Sequence, residues 1–440
     1  MQDEIYEALS NHRDERIQSL IKGEISTDIL SALFSAHITE EMDPFEIQYL
    51  APGLSGAGII SVSPAKGAPF IIKYGCNAII EREKNNYKKI GNSIPNHLLT
   101  GLKSEGKKYR NYNSIAFSWA GGRNKAENIR EYFGQEKDIE KLRSVVSSLM
   151  NNLFQWCGKD TTPRLPIDQW EWKPPETINA VHERIDGWDQ DDQKKKRLSE
   201  ALHRTERWRD ALRNRAFSSG YCHGDLNYRN ILVVHDGKNI FPVLIDFASI
   251  CEGVSPAMDW AKFEREIKFR LLRDAEPDPA VFRKALQEIE TCCDTCTPFH
   301  VHPNLEKALN LISLIRSKYS ERRTNISDAP HLEYLFFLFY TTLAYAVHGE
   351  NEGKPLVQHA VLDSAYRILE QIDRIISSDI EYKYPGITGT EAPADVTPPV
   401  ILQVPEAYRT WIETHCLKTE LGKLVEDQDQ EIFVRIRQDA

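Results

Sequence analysis

The sequence predicts an α+β protein of two lobes, an antiparallel sheet first and a mainly helical lobe after it. Three patterns predict it. Between Phe45 and Tyr74 apolar and polar residues alternate in short runs broken by glycine and proline, the period of half-buried strands. From about 136 to 378 the apolar spacing becomes helical, with charged opposite faces. Inside that helical part, Asn230-Ile231-Leu232-Val233-Val234 and Phe241-Pro242-Val243-Leu244-Ile245 flank His235-Asp236-Gly237-Lys238-Asn239, the composition of a hairpin turn. A chain of 440 residues is long enough to bury a core in each lobe.

Composition narrows the function classes. A net charge of −10, from 55 basic and 65 acidic residues, argues against a general nucleic-acid binder. No apolar stretch follows Met1, so no signal peptide is expected and the chain reads as cytoplasmic. The most apolar window, Tyr334 to Val347, is shorter than the ~20 residues that cross a bilayer. It reads as a buried core helix, with no membrane partner implied. The eight cysteines show no disulfide framework. Cys292, Cys293 and Cys296 with His300 and His302 are spaced too tightly for the usual pair of separated zinc-ligand pairs, and read as a loop with ordinary thiols.

Residues 1–43 carry Ile5, Leu9, Ile17, Leu20, Ile21, Ile29, Leu30, Leu33 and Phe34 at helical intervals, a helical extension expected to pack on the next lobe in preference to binding a protein partner. Residues 44–120 form the strand-rich lobe. There Gly53, Ser55 and Gly56 lie in a glycine turn between two strands, where backbone N–H groups can approach phosphate oxygens without side-chain interference. The next strand ends in a single cation, Lys73, and the helix after it offers Glu83, with Glu81 second, as its ion-pair partner. Ser114 to Gly122 reads as the strand leading out of the lobe, with a nucleotide base expected against the backbone of Ala116, Phe117 and Ser118.

Residues 121–380 form the helical lobe, with helices over 136–157, 192–218, 331–348 and 356–378 and an irregular Pro- and Trp-rich insertion from Thr161 to Pro175. Its chemistry-bearing stretch runs from Tyr221 to Ala248. Phosphoryl transfer needs metal ions to spread phosphate charge and a carboxylate to orient the accepting hydroxyl. Asp225 supplies that carboxylate; Asn230 and Asp246 supply the neutral and anionic oxygens a hard cation prefers, and the hairpin brings them together. His223 reads as the residue that fixes the loop by hydrogen bonds. Asp259, at the start of a helix carrying Trp260, Phe263, Ile267 and Leu271 on one face, reads as structural, capping the helix or bracing the loop. Residues 381–405 are a Pro-rich linker or strap, and 406–440 a segment that docks on the enzyme or on a protein partner.

His223-Gly224-Asp225-Leu226 with Asn230, followed by Leu244-Ile245-Asp246-Phe247-Ala248, resembles the catalytic and metal-binding loops of the aminoglycoside phosphotransferase and choline kinase group, which has the protein-kinase-like fold. Over about residues 48–275 the chain also resembles the kinase-like ternary complex-associated modules of bacterial signalling and defence systems. The resemblance implies ATP and Mg2+ as cofactors, Asp225 as catalytic base, Asn230 and Asp246 as metal ligands, Lys73 on the phosphates, and a hydroxyl acceptor it leaves open. The chain departs from protein kinases at Ala248, where they carry Gly, and in having no Ala-Pro-Glu segment after it, so control by activation-loop phosphorylation is not expected. A nucleotide-sensing module that sets the arrangement of partners is the alternative function; a scaffold without nucleotide leaves Asp225, Asn230 and Asp246 unexplained.

Overall fold

In the computed structural model, the residues described are 2–10, 25–42, 45–50, 57–91, 94–106, 108–122, 125–157, 164–165, 196, 199–200, 217–218, 220–275, 278–292, 303–323, 330–346 and 355–383. The chain divides into two compact units, Met1–Leu369 and Glu370–Ala440, and the site lies in the first. Several expectations lie outside the described residues: the glycine turn at 51–56, the cysteine and histidine cluster beyond Cys292, and everything after Lys383. So does most of the Thr161–Pro175 insertion and of the expected helix over 192–218.

The chain opens with α1 (Gln2–Ser10) and α2 (Thr27–Phe34), then builds β1 (Phe45–Leu50), β2 (Gly58–Pro64) and β3 (Phe70–Cys76). α3 (Asn77–Ile90), β4 (Leu102–Glu105) and β5 (Tyr112–Ser118) complete the first lobe. The five strands form one antiparallel sheet in the order β1-β2-β3-β5-β4, so β3 is central and Lys73 stands between Ile59 and Ile115. The alternation of strand residues gives the sheet two apolar faces. On one, Ile60, Val62, Phe70, Ile72 and Tyr74 pack with Ile29, Leu30, Leu33 and Phe34 of α2. On the other, Ile115 and Ala57 pack with Ile80 of α3. The described parts of the N-terminal extension, α1 and α2, therefore pack on this lobe and close its core, while Ile17, Leu20 and Ile21 lie outside the described residues. Ser31 Oγ donates to the Gln2 carbonyl at 2.6 Å, and buried His37 bonds Ser104 and Ser114 at 2.6 and 2.9 Å, tying α1, α2, β4 and β5 together.

The second lobe begins with β6 (Lys125–Asn128), α4 (Ile129–Gln135) and α5 (Ile139–Cys157), followed by two-residue strands β7 (Arg164–Leu165) and β8 (Phe217–Ser218). β9 (Gly220–Cys222), β10 (Ile231–Asp236), β11 (Asn239–Leu244) and β12 (Cys251–Val254) carry the chemistry-bearing stretch. Helices α6 (Ala257–Glu266), α7 (Pro279–Cys292), α8 (Pro303–Arg323), α9 (Pro330–Ala346) and α10 (Pro355–Lys383) follow, with a π-helical stretch at Ile267–Leu272. The expected hairpin is β10–β11, paired from Ile231↔Leu244 to Asp236↔Asn239. Gly237 takes the positive φ, 59°, that so tight a loop demands at its first central position.

α9 is buried all round, from Tyr334 through Tyr340, and it packs against α6 as a core helix of this lobe. Among the described residues no helix is long and apolar enough to cross a membrane. One knot of charge lies inside this core. The Glu264 carboxylate on α6 accepts from Arg316 Nε at 2.8 Å and Tyr334 Oη at 2.7 Å, and it also pairs with Lys268, which reaches Glu290 at 2.8 Å. Burial pushes the Glu264 carboxyl up, but Arg316 and Lys268 override it and hold the group down at about 2. The knot fixes α6, and α6 in turn holds the functional loop.

Candidate functional site

β3 and α3 bring the first pair together. Ile80, Glu83, Tyr87 and Ile90 form the buried stripe of α3 at helical spacing, and Glu83 is the charged member of that stripe. Lys73 answers it: its Nζ lies 2.7 Å from Glu83 and 2.9 Å from Asp246 Oδ1. Burial opposes the Lys73 ammonium, but the two carboxylates outweigh it and hold its pKa above the ordinary value. Burial pushes the Glu83 carboxyl up; Lys73 pulls it back without overcoming burial, and Asp246 adds a smaller upward push. Two carboxylates share one cation. Glu81, the second choice for this role, instead pairs with Lys84 at 2.8 Å and accepts from Asn113.

The loop His223–Asn227 is clamped from below by α6. The Asp259 carboxylate accepts the backbone N–H of His223 at 2.6 Å and of Gly224 at 2.9 Å, so it braces the loop rather than capping its own helix. Gly224 has φ 75°, and a Cβ there would stand 2.0 Å from the Ser249 carbonyl oxygen. His223 is fully buried; its Nε2 bonds the Ile245 carbonyl at 3.0 Å and its Nδ1 accepts from the Asp225 N–H at 3.3 Å. Both ring nitrogens are thereby used in holding the loop.

Asp225 faces outward from this brace, its side chain about a third exposed (36%). Asn230 ends a short 3₁₀ turn, Tyr228–Asn230, one residue before the strand in which the sequence placed it. Its Nδ2 donates to the Asp225 carbonyl at 2.8 Å and to Asp225 Oδ2 at 3.1 Å, which turns its own Oδ1 away as a neutral acceptor. The Asn230 carbonyl accepts the Ile245 N–H at 3.1 Å, so the hairpin does fix Asn230 beside the segment carrying Asp246.

Asp246 leaves the end of β11 in the left-handed region, φ 62° and ψ 73°, a strained conformation for a residue with a Cβ. The residues after it hold it there. Asn86 on α3 donates to the carbonyls of Phe247 at 3.1 Å and Ala248 at 3.2 Å. The Phe247 ring is buried between Tyr87 and His223, with centroids 5.8 and 5.1 Å away. One aromatic ring thus links α3 to the Asp225 loop.

Sequence reasoning gave no role to Lys262 or Asn86. Lys262 lies three residues after Asp259 on the same face of α6; its Nζ donates to Asp225 Oδ1 at 2.6 Å and to the Gly224 carbonyl at 3.2 Å. Burial alone would raise the Asp225 carboxyl, but Lys262 outweighs it, with help from Asn227 and His223, and holds the group below the usual carboxylate range. The signal was present in Asp259-Trp260-Ala261-Lys262, a carboxylate and a cation at helical spacing beside apolar residues that fix the other face.

Gly53, Ser55 and Gly56 lie outside the described residues. Ala116, Phe117 and Ser118 lie inside β5, which is bonded to β3 on one side and β4 on the other. The Ser118 N–H reaches the Gly101 carbonyl at 2.7 Å and the Trp119 N–H the Pro69 carbonyl at 3.2 Å. The backbone at Ala116 to Ser118 is therefore engaged in the sheet, and the chain leaves it only at Trp119, turning through Gly121 and Gly122 at φ 80° and 64°. Among the described residues no group of three or more His, Cys, Asp or Glu side chains could hold a metal by itself.

A five-stranded antiparallel sheet whose central-strand lysine pairs with a helix glutamate, facing a helical lobe that presents Asp225, Asn230 and Asp246, is the protein-kinase-like fold of the aminoglycoside phosphotransferase type. Within that class, residues 182–343 match the family model described as "Ternary complex associated domain 9", which bears out the resemblance to kinase-like ternary complex-associated modules. No curated protein matches the chain. Among solved structures it is similar to an aminoglycoside phosphotransferase in complex with ADP and hygromycin B, at 12% identity over 75% of this chain and 96% of that one, TM-score 0.42. It is likewise similar to an ethanolamine kinase of Plasmodium vivax, at 15% identity over 84% and 98%, TM-score 0.39. A microcompartment-associated aminopropanol kinase gives 14% over 83% and 98%, TM-score 0.40. At these scores the fold assignment rests on the strand order and ion pairs of this chain.

Proposed function

We propose that the protein is an ATP- and Mg2+-dependent phosphotransferase that moves the γ-phosphate to a hydroxyl of a small-molecule or protein acceptor. The observation that carries this reading is the triad in which Lys73 joins Glu83 of α3 to Asp246 beyond β11. Two carboxylates around one lysine leave an anionic excess at Asp246, the most exposed of the three, which a divalent cation relieves. The donor set suits magnesium: Asp246 and the Asn230 Oδ1 provide hard oxygens, and with so few protein ligands the remaining positions fall to phosphate and water. Bound there, the ion would spread the charge of the β- and γ-phosphates.

This chain's residues then divide the work. Lys73 holds the phosphates, and Gly53, Ser55 and Gly56 would offer backbone N–H groups to them. Asp225 orients the acceptor hydroxyl: its oxygen forms a bond to the γ-phosphorus as the bond to the bridging oxygen breaks, ADP leaves with that electron pair, and the hydroxyl proton passes to Asp225. His223 and Asp259 keep that carboxylate in place.

Calorimetric titration of ATP with and without Mg2+, on the wild type and on Asp246→Ala, tests the reading without knowledge of the acceptor. Binding that needs Mg2+ and is lost in the variant is the expected result; absence of binding by the folded wild type would sink it. The family description, a domain associated with ternary complexes, favours a second reading in which ATP occupancy sets the arrangement of partners. That reading gives the same binding but no turnover with any acceptor.

A further inference from the structure

We propose that Lys262 is a catalytic residue of this site, donating a hydrogen bond to an oxygen of the γ-phosphoryl group from the acceptor side. The inference rests on the nucleotide reading above and names a contact that reading did not contain. Its basis is the placement of the ammonium. Lys262 Nζ lies 2.6 Å from Asp225 Oδ1, on the carboxylate that would receive the acceptor proton, so it borders the path along which phosphorus would be transferred. An ammonium has three N–H donors. Two go to Asp225 Oδ1 and the Gly224 carbonyl, and the third has no partner among the described residues. The side chain is 19% exposed beside a carboxylate that is 36% exposed, so both reach solvent rather than ending in the core.

A purely structural lysine is poorly explained here. The loop is already clamped by Asp259, His223 and Asn230, and a cation bonded to the base lowers that base's affinity for the proton it must receive. A cation that contacts the γ-phosphoryl group as well has a positive use. Charge spreads over three equatorial oxygens in the transition state, and Lys73 is committed to Glu83 and Asp246 on the nucleotide side. Lys262 supplies positive charge on the opposite side. Its place on α6, anchored by the Glu264 knot, holds it without a loop rearrangement.

The test is affinity for Mg2+ with AMP-PNP, which has a γ-phosphate, against Mg2+ with ADP, which lacks one, by calorimetry on the full chain. The set comprises wild type, Lys262→Met, Asp225→Asn and the double variant, with Lys262→Gln replacing Met if that protein fails to fold. Lys262→Met is expected to weaken AMP-PNP on the order of tenfold, the worth of one partly exposed charge-assisted hydrogen bond, and to leave ADP within about twofold. The same loss is expected when Lys262→Met is added to Asp225→Asn, because the contact is to phosphate and does not act by neutralising the carboxylate. The inference is overturned if both nucleotides are unaffected, if both weaken alike, or if the AMP-PNP loss vanishes in the Asp225→Asn background. Wild type that binds neither nucleotide overturns the nucleotide reading itself, and the role of Lys262 falls with it.

Discussion

Replacing Asp259 by Ala tests how the catalytic loop is held. The carboxylate is 1% exposed and accepts two backbone N–H bonds, from His223 at 2.6 Å and Gly224 at 2.9 Å. Truncation strands both amides in a buried site, and each unsatisfied donor costs about 1–3 kcal/mol. Part of that is offset, because burial pushes the Asp259 carboxyl up against the pull of His223 and the two amides, so its charge is itself held at a cost near neutral pH. The net expectation is a loss of about 2–4 kcal/mol at pH 7.5, read from urea unfolding midpoints at constant slope. Asp259→Asn should lose less, about 1–2 kcal/mol, since one oxygen still accepts while its NH2 confronts the other amide. Nucleotide binding should survive better than turnover, because Lys73 and Asp246 are held elsewhere. An Asp259→Ala protein within about 0.5 kcal/mol of wild type would refute the brace, since no substitution that strands two buried amides can be that mild.

Gly224→Ala should cost about 2 kcal/mol or more, since φ is 75° and the new Cβ meets the Ser249 carbonyl at 2.0 Å. Gly237→Ala, at φ 59° with nothing within 4 Å, should cost only about 1 kcal/mol; equal losses in thermal unfolding would show that the close contact does not matter. Lys73→Met leaves Glu83 and Asp246 without their shared cation and should cost about 3 kcal/mol at pH 7.5. Because Glu83 is pushed up by burial and takes a proton more readily than an ordinary carboxyl, that deficit should shrink when unfolding is measured at pH 5. His37 is pushed down to about 4 by burial, with Lys103 adding repulsion, against 6.5 in the open chain. Between those values the unfolded chain binds a proton that the fold refuses, so its contribution is intact above pH 6.5 and falls by about 3 kcal/mol on descent to pH 4. His37→Asn should flatten that part of the stability profile, and an unchanged slope would remove His37 as its cause.

Elements whose causes are local could be read from the residues alone. Period-two runs became β1, β2 and β3, the turn residues around Gly237 became the β10–β11 hairpin, and the apolar stretch at Tyr334 became the core helix α9. Lys73 and Glu83 were legible because an apolar strand and a helix stripe each carried one charge where an apolar residue belonged, though β3 runs on to Cys76 and Lys73 lies at its middle rather than its end. What no local pattern encodes is which face meets which. Only tertiary structure decided that α1 and α2 close the sheet, that Asp259 turns to the catalytic loop, that Asn86 holds the carbonyls of Phe247 and Ala248, and that Lys262 lies on Asp225. That both edges of the strand holding Ala116 to Ser118 are paired was likewise invisible in its own residues. Periodicity fixes a side chain's face within its element, whereas its partner is chosen by packing between elements that lie, for Lys73 and Asp246, 173 residues apart.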